Sequence, residues 1–330
     1  MLAARAINDP RSLRVRNLAL SQIRGVLNPL QIRAAGLQFD ARDALVISGF
    51  PRSGTTWLAQ TLASSPGLGV LFEPMNLLRV REARAAGCRW ENFREPSESW
   101  PEGEVFFRAV FGGRVLNRWT VSHLPLSKAR QVERWVVKFV RANQLLGWII
   151  NHFLIAPPVL VIRHPCAVYS SWIQRGWPVS AEFPHWDPFF RSFPSFRDTV
   201  LRLTTPEERL AAQWSMHYYT AFQHLEPRHY LLSPYERLVR DGRREVDRIL
   251  SVWGVPQSDG LSELLSRPSG KASGQVAAEA GQRPPDWTRR LPTVAIDRIL
   301  RVLSAFGFDF YTEEAEPRYD QLPPDLSAAK

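Results

Sequence analysis

A short loop near the start of the chain combines residue types that bind phosphate. It follows the apolar run 44–49, and Gly49 and Gly54 have the G-x-x-x-x-G spacing of a nucleotide-binding loop. Backbone N–H groups of such a loop, together with the positive end of the helix that follows, hold an anion. The residues expected to bind the anion are Arg52, Ser53, Gly54, Thr55, Thr56 and Trp57.

The loop differs from that of ATP-hydrolysing proteins in one informative way. Those proteins carry a lysine followed by Ser or Thr, whereas this chain has Thr55-Thr56. No lysine reaches a terminal phosphate, so Arg52 is the expected cation. The sequence therefore disfavours Mg-ATP hydrolysis and favours another phosphate-like group. The alternative is an ordinary strand-to-helix turn that uses glycine for its tight geometry.

A second group of polar residues follows a later apolar run. Arg163 ends the predicted strand 159–163, at the edge of an α/β sheet where ligands bind. Pro165 suits the first turn of a helix, and Ser171 and Arg175 are four residues apart. We expect these two side chains to share one helix face and to bind one dianion together with Arg163.

Together, the two segments resemble the sulfotransferases that use 3′-phosphoadenosine 5′-phosphosulfate (PAPS). The segment 51–58 resembles the loop that binds the 5′-phosphosulfate, and Arg163 with Ser171 resembles the 3′-phosphate signature. The resemblance covers about residues 43–300 and is closest to the tyrosylprotein and carbohydrate sulfotransferases. It implies an enzyme that takes PAPS as donor, releases 3′-phosphoadenosine 5′-phosphate (PAP) and needs no metal.

The resemblance also implies catalytic residues, among them Arg52. Glu73, in Phe72-Glu73-Pro74, stands where the tyrosylprotein branch has its catalytic glutamate. The rival base is His123, although its spacing from Lys138 does not match the pattern of cytosolic sulfotransferases. Lys138 interrupts an apolar strand, so a nearby anion is expected; in the family, a lysine here stabilises the leaving oxygen. The alternative for Lys138 is a salt-bridged strand residue.

Two further positions match the family less closely. Tyr235 begins a Tyr-Glu-x-Leu segment whose tyrosine lies by the nucleotide in the family; the alternative is a packing residue that caps the sheet. Ser269 lies in the glycine-rich segment 266–290, which resembles a loop that closes over the nucleotide.

The elements that must position these residues form an α/β pattern. Short apolar runs alternate with helical stretches, as in a parallel sheet with crossover helices. We predict a P-loop-containing nucleotide-binding fold with a central parallel sheet of about five strands and helices on both faces. The predicted strands are 44–49, 69–73, 135–140, 159–163 and 230–233, and helices are predicted over 241–253 and from 293 to about 307.

One domain accounts for most of the chain. We predict an N-terminal helical extension over 1–40, a single sulfotransferase domain over 41–310 and a C-terminal tail over 311–330. Two segments rich in aromatic residues, 83–130 and 173–200, read as insertions within that domain.

Composition limits the partners. The net charge of +10 predicts an anionic partner, but the arginines are scattered and no RNA-type aromatic signature is present, which disfavours nucleic acid. For the arginine-rich N-terminus, a solvated helix is favoured over weak contact with a membrane surface. No transmembrane segment or secretory signal is evident, and Cys88 and Cys166 fit a reducing compartment, so a cytoplasmic location is expected.

The acceptor is the least determined part of the prediction. Aromatic side chains between Trp172 and Phe190 suit sugar rings, phenols and lipids, although most of them fit a core role. With the branch resemblance, they favour a glycan or glycolipid acceptor over a small hydroxylated metabolite or a protein tyrosine. From other classes, a P-loop nucleotide kinase and a non-catalytic anion-binding module remain as alternatives.

Overall fold

Five strands that are buried along almost their whole length form a parallel sheet in the order β2-β3-β1-β4-β5. The computed structural model describes residues 23, 26–180, 183, 186–256 and 286–329. The strands are β1 (Leu45–Gly49), β2 (Leu68–Phe72), β3 (Arg134–Lys138), β4 (Val159–Ile162) and β5 (Leu231–Pro234). All five predicted strands are confirmed, with ends that differ by at most two residues.

Helices connect the strands and cover both faces of the sheet, which confirms the predicted fold class. Alternate strand residues belong to two separate hydrophobic clusters: Val46 and Val137 pack into one, whereas Ile47 and Val136 pack into the other. Between residues 41 and 329, the described α-helices are α1 (Thr55–Leu62), α2 (Arg81–Ala85), α3 (Pro101–Phe111), α4 (Leu146–His152), α5 (Pro165–Ile173), α6 (Asp187–Ser192), α7 (Arg197–Leu201), α8 (Pro206–His224), α9 (Tyr235–Arg240), α10 (Gly242–Val252), α11 (Asp286–Arg290) and α12 (Thr293–Ala305).

The strand register brings the chemically important residues to one edge. Lys138, the last residue of β3, lies opposite Phe72 on β2 and Ile47 on β1. Gly49, the last residue of β1, lies opposite Val161 on β4. Because all strands run in parallel, the loops that follow them meet at the carboxyl edge of the sheet, as expected for a ligand site.

Outer segments of the chain are fastened to the domain by specific contacts. Residues 26–34 are helical, and Asn28 Nδ2 donates to the carbonyl oxygens of Val121 and Leu124. At the other end, Asp325 accepts the N–H of Leu232 on the edge strand β5 at 2.7 Å. The division of the chain into the units 1–40, 41–310 and 311–330 stays a prediction.

Among the described residues, no helix is long and apolar enough to cross a membrane.

Candidate active site

The loop between β1 and α1 depends on two close approaches that only glycine permits. A Cβ atom at Gly49 would lie 2.6 Å from the carbonyl oxygen of Val161. Gly54 has φ +89°, and a Cβ atom there would lie 2.4 Å from the Tyr235 ring. Arg52, between them, also has a positive φ of 75°, which is unusual for a residue with a side chain. The surrounding contacts therefore fix the shape of this loop.

Tyr218 on α8 contacts the loop, and no pattern in the sequence predicts this contact. Its hydroxyl accepts the N–H of Phe50 at 3.0 Å and donates to the carbonyl oxygen of Val161 at 2.7 Å. The Ser53 hydroxyl lies 3.4 Å away. Tyr218 is fully buried, and burial raises the pKa of its hydroxyl, so it remains a neutral donor. The tyrosine thus ties the loop to the end of β4.

Tyr218→Phe should weaken PAP binding by roughly 10-fold, because it leaves the buried N–H of Phe50 unpaired and loosens the loop. Calorimetry of PAP binding, with thermal unfolding followed in parallel, checks this expectation. Tyr219→Phe, on the same helix, is the matched control and should bind PAP normally. Normal PAP affinity in Tyr218→Phe would show that the hydroxyl does not position the loop.

Three arginines gather around the loop. Arg52 Nε donates to Ser171 Oγ at 3.0 Å, and Arg163 Nη1 donates to the carbonyl oxygen of Arg52 at 2.8 Å. The Arg163 guanidinium stacks over the Tyr235 ring at 4.3 Å from its centroid. Burial, and then the positive charges of Arg175 and Arg163, lower the pKa of Arg52 to about 10. A bound anion would relieve this repulsion.

The same cluster contains an unused donor. In the described part of the chain, the buried Nε of Arg163 has no hydrogen-bond partner, although buried polar groups are normally paired.

The prediction that Ser171 and Arg175 share a helix face is wrong, because α5 ends at Ile173 and Gly176 turns the chain with φ +64°. Arg175 nevertheless lies close enough to influence the charge of Arg52. The cluster fits a phosphate dianion.

A buried network supports the chain just after Arg163. The Glu236 carboxyl group accepts the backbone N–H of His164 at 2.9 Å and the Tyr311 hydroxyl at 3.0 Å. Burial raises the pKa of Glu236 and lowers that of His164 to about 4. The His164 ring also stacks on Trp287, with centroids 4.4 Å apart. Glu236 follows Tyr235 in the Tyr-Glu-x-Leu segment, but the sequence pattern alone indicates no role for it.

Glu73 and Lys138 form an ion pair at the carboxyl ends of β2 and β3. Lys138 Nζ lies 2.5 Å from Glu73 Oε1, and it also lies 4.7 Å from the centroid of the Phe72 ring. The Lys138 side chain is only 2% exposed, whereas that of Glu73 is 18% exposed. Glu73 has φ +41°, and its N–H donates to the carbonyl oxygen of Lys138 at 2.9 Å. The anion that a buried lysine requires is therefore the carboxylate predicted as the base.

The sequence model of the sulfotransferase family matches residues 44–259, which is well over half of the chain. This chain belongs to the sulfotransferase family. It contains both the loop and the Glu73–Lys138 pair within the matched region. No match was found among curated proteins.

Several solved sulfotransferase structures are similar to this sulfotransferase. The sulfotransferase domain of the Synechococcus PCC 7002 olefin synthase is 20% identical, with 82% of this chain and 97% of that chain covered and a TM-score of 0.40. Mouse SULT7A1 complexed with PAP is 13% identical, with 82% and 87% covered and a TM-score of 0.43. Sulfotransferase STF1 of Mycobacterium tuberculosis is 14% identical, with 87% and 81% covered and a TM-score of 0.42.

The rival base of this sulfotransferase, His123, lies near the end of β2 as well. Its ring stacks on Phe72 with centroids 4.0 Å apart, and its Nδ1 lies 3.0 Å from Ser122 Oγ. Glu73 differs from it in being paired directly with Lys138. The structure therefore brings both candidates to the same region and connects one of them to the predicted catalytic lysine.

A small crevice opens beside the ion pair of the sulfotransferase. Glu73, Met75, Asn76, Phe139, Val140 and Arg141 line it.

The remaining predicted site residues differ in how they are described. In α1, Thr55 is buried, while Thr56 and Trp57 are half-buried. Ser269 and most of the segment 266–290 lie outside the described residues. Within the described ranges, no group of three or more His, Cys, Asp or Glu residues could hold a metal ion.

Proposed function

We propose that this sulfotransferase transfers a sulfuryl group from PAPS to a hydroxyl group of a glycan or glycolipid and releases PAP. The observation that carries the proposal is the Glu73–Lys138 pair at the same sheet edge as the arginine-lined loop. A carboxylate, an ammonium and a phosphate-binding loop are the parts that sulfuryl transfer to a hydroxyl requires. The resemblance to the tyrosylprotein and carbohydrate branch supports the choice of acceptor.

The arginine cluster fits a donor with two phosphate-like ends. Arg52 and the free N–H groups of the first turn of α1 would hold the 5′-phosphosulfate. Arg163, Ser171 and Arg175 would hold the 3′-phosphate, and the unpartnered Nε of Arg163 supplies a donor for it. The Tyr235 ring, already stacked on Arg163, would lie beside the nucleotide. When bound, PAPS supplies an activated sulfuryl group.

The ion pair divides the chemistry between two residues. Glu73 accepts the proton of the acceptor hydroxyl, so that the oxygen can form a bond to sulfur. Lys138 would stabilise the negative charge that develops on the bridging oxygen as the bond from sulfur to the donor phosphate breaks. Because Lys138 lies on a buried strand between β2 and β1, it is held in place before the reaction. Arg52 keeps the reacting group aligned with the acceptor.

An exposed tryptophan beside the loop supports a ring-bearing acceptor. Trp177 is 43% exposed, and its ring lies 5.7 Å from the guanidinium carbon of Arg52 and 5.1 Å from the Trp172 ring. An exposed indole face packs well against a sugar ring. Other aromatic residues of this segment are buried in the core instead, in agreement with the alternative given above: Trp186, Phe189 and Phe190.

PAP should bind at least 10-fold and up to roughly 150-fold more tightly than AMP, because AMP lacks the 3′-phosphate that the arginines would contact. Calorimetry with both nucleotides measures this difference. Arg163→Gln should remove most of it, whereas Arg191→Gln, at an exposed position of α6, should preserve it. Equal affinities for PAP and AMP, or tight binding of Mg-ATP with none of PAP, would support the kinase alternative.

The acceptor is tested separately with radiolabelled PAPS and pooled glycans and phenols. Transfer of label to glycans is the expected result. Transfer to phenols alone would favour a small metabolite or a protein tyrosine while leaving the sulfotransferase assignment intact.

A further inference from the structure

Arg141 lies in the crevice beside the Glu73–Lys138 pair and has no part in the steps described above. It follows the end of β3 by three residues and lines the crevice together with Glu73. Its guanidinium carbon lies 4.3 Å from the centroid of the Trp90 ring, and its Nη1 donates to the Trp90 carbonyl oxygen at 3.1 Å. Its side chain is 26% exposed. Arg141 is therefore preorganised but still reachable from the crevice.

The charge of Arg141 is only loosely paired. Its Nη1 lies 3.7 Å from Glu91 Oε1, which is too long for a hydrogen bond. The other oxygen of Glu91 lies 2.9 Å from Nε2 of the buried His217, so Glu91 is shared between two partners. Burial lowers the pKa of Arg141, while the charges of Glu91 and Glu73 oppose this change. A half-buried guanidinium of this kind is stabilised by a further anion.

We propose that the acceptor carries a carboxylate near the hydroxyl that receives the sulfuryl group, and that Arg141 binds this carboxylate. The inference rests on the proposed function, because it places the hydroxyl at Glu73 in the same crevice. It narrows the acceptor to hydroxy acids. Uronic-acid sugars and phenolic acids share this chemistry.

The chemistry of the crevice favours a carboxylate over a more highly charged group. A planar guanidinium binds a carboxylate through two parallel hydrogen bonds. Glu73 and Glu91 both lie near Arg141 and would repel a phosphate dianion more strongly than a single negative charge.

Two matched pairs of small molecules test the inference on the PAP-loaded protein. Methyl glucuronide is compared with methyl glucoside, and para-hydroxybenzoate with para-hydroxybenzamide, with affinities measured by ligand-observed NMR. We expect the carboxylate member of at least one pair to bind roughly 10-fold more tightly. A preference confined to the first pair identifies a uronic-acid acceptor, and one confined to the second identifies a phenolic acid.

Variants assign the preference to Arg141. Arg141→Gln should abolish it, and Arg141→Lys should retain part of it, since the charge remains but the planar group is lost. Arg94→Gln is the matched control, because Arg94 also stacks on a tryptophan, Trp100, and is not among the residues that line the crevice. Thermal unfolding of each variant accompanies the measurements.

The outcomes separate this inference from the proposed function. Failure of PAP itself to bind the wild-type protein contradicts the proposed function. Normal PAP binding with no preference in either pair, or with a preference that survives in Arg141→Gln, overturns the carboxylate inference alone. Equal loss of turnover by Arg141→Gln with charged and neutral acceptors overturns it as well, because the arginine would then act on the transferred group.

Discussion

Glu73→Gln should lower kcat by roughly 10²–10⁴-fold, while PAP affinity stays close to that of the wild type. The amide keeps the size of the side chain but cannot accept the proton of the acceptor hydroxyl. It also leaves the ammonium of Lys138, which is 2% exposed, without its counter-charge at 2.5 Å. Removal of one partner from a buried pair costs up to about 3–5 kcal/mol, and the amide oxygen can retain part of the hydrogen bond. Steady-state kinetics and thermal unfolding must therefore be measured together.

The rival base provides the control for this result. His123 contacts Phe72 and Ser122, so His123→Ala should change kcat by only a few-fold. Near-normal turnover in Glu73→Gln, together with a collapse of turnover in His123→Ala, would reverse the assignment. Loss of PAP binding in Glu73→Gln would instead mean that the pair organises the donor site.

Lys138→Ala should lower kcat by roughly 10²–10³-fold, with a smaller effect on PAPS affinity. The ammonium stabilises charge that appears on the bridging oxygen only as the bond to sulfur breaks, so its contribution is largest in the transition state. Single-turnover kinetics at saturating PAPS measures the effect on the chemical step. Lys138→Arg should restore only part of the rate, since a wide planar group replaces a compact charge.

Burial of Lys138 requires a second variant, because alanine would leave a cavity at the carboxyl end of β3. Lys138→Met keeps most of the volume of the side chain and removes the ammonium, which lies 4.7 Å from the centroid of the Phe72 ring. Glu73 is partly exposed, so water can hydrate its carboxylate once the lysine is gone. A folded Lys138→Met protein with unchanged kcat would show that the lysine is a structural strand residue.

Coupling between the two residues can be measured directly. In the double variant Glu73→Gln, Lys138→Met, the stability losses should not add, because each single change already breaks the same ion pair. Additive losses in unfolding free energy would mean that the pair contributes little to the folded state.

The sequence alone predicted the sheet and the loop because both depend on local patterns. Strands buried on both faces read as continuous apolar runs, and their ends were placed to within two residues. The glycine spacing of the loop reflects contacts that exclude a Cβ atom at Gly49 and Gly54. Lys138 stood out because an ammonium on an apolar strand requires an anion, but the pattern did not identify which anion.

Only the tertiary structure decided which residues meet across long separations in the chain. The register between β2 and β3 places Phe72 opposite Lys138, and this register joins Glu73 to the lysine. Tyr218 reaches the loop from α8, and its sequence position shows no sign of that contact. Helical spacing predicts Arg175 on α5. The helix instead ends at Ile173, two residues before Arg175, and Gly176 then turns the chain. Periodicity and glycine spacing are local properties of the sequence. Contacts between side chains that are far apart in the sequence depend instead on how helices and strands pack, and the whole core determines that packing.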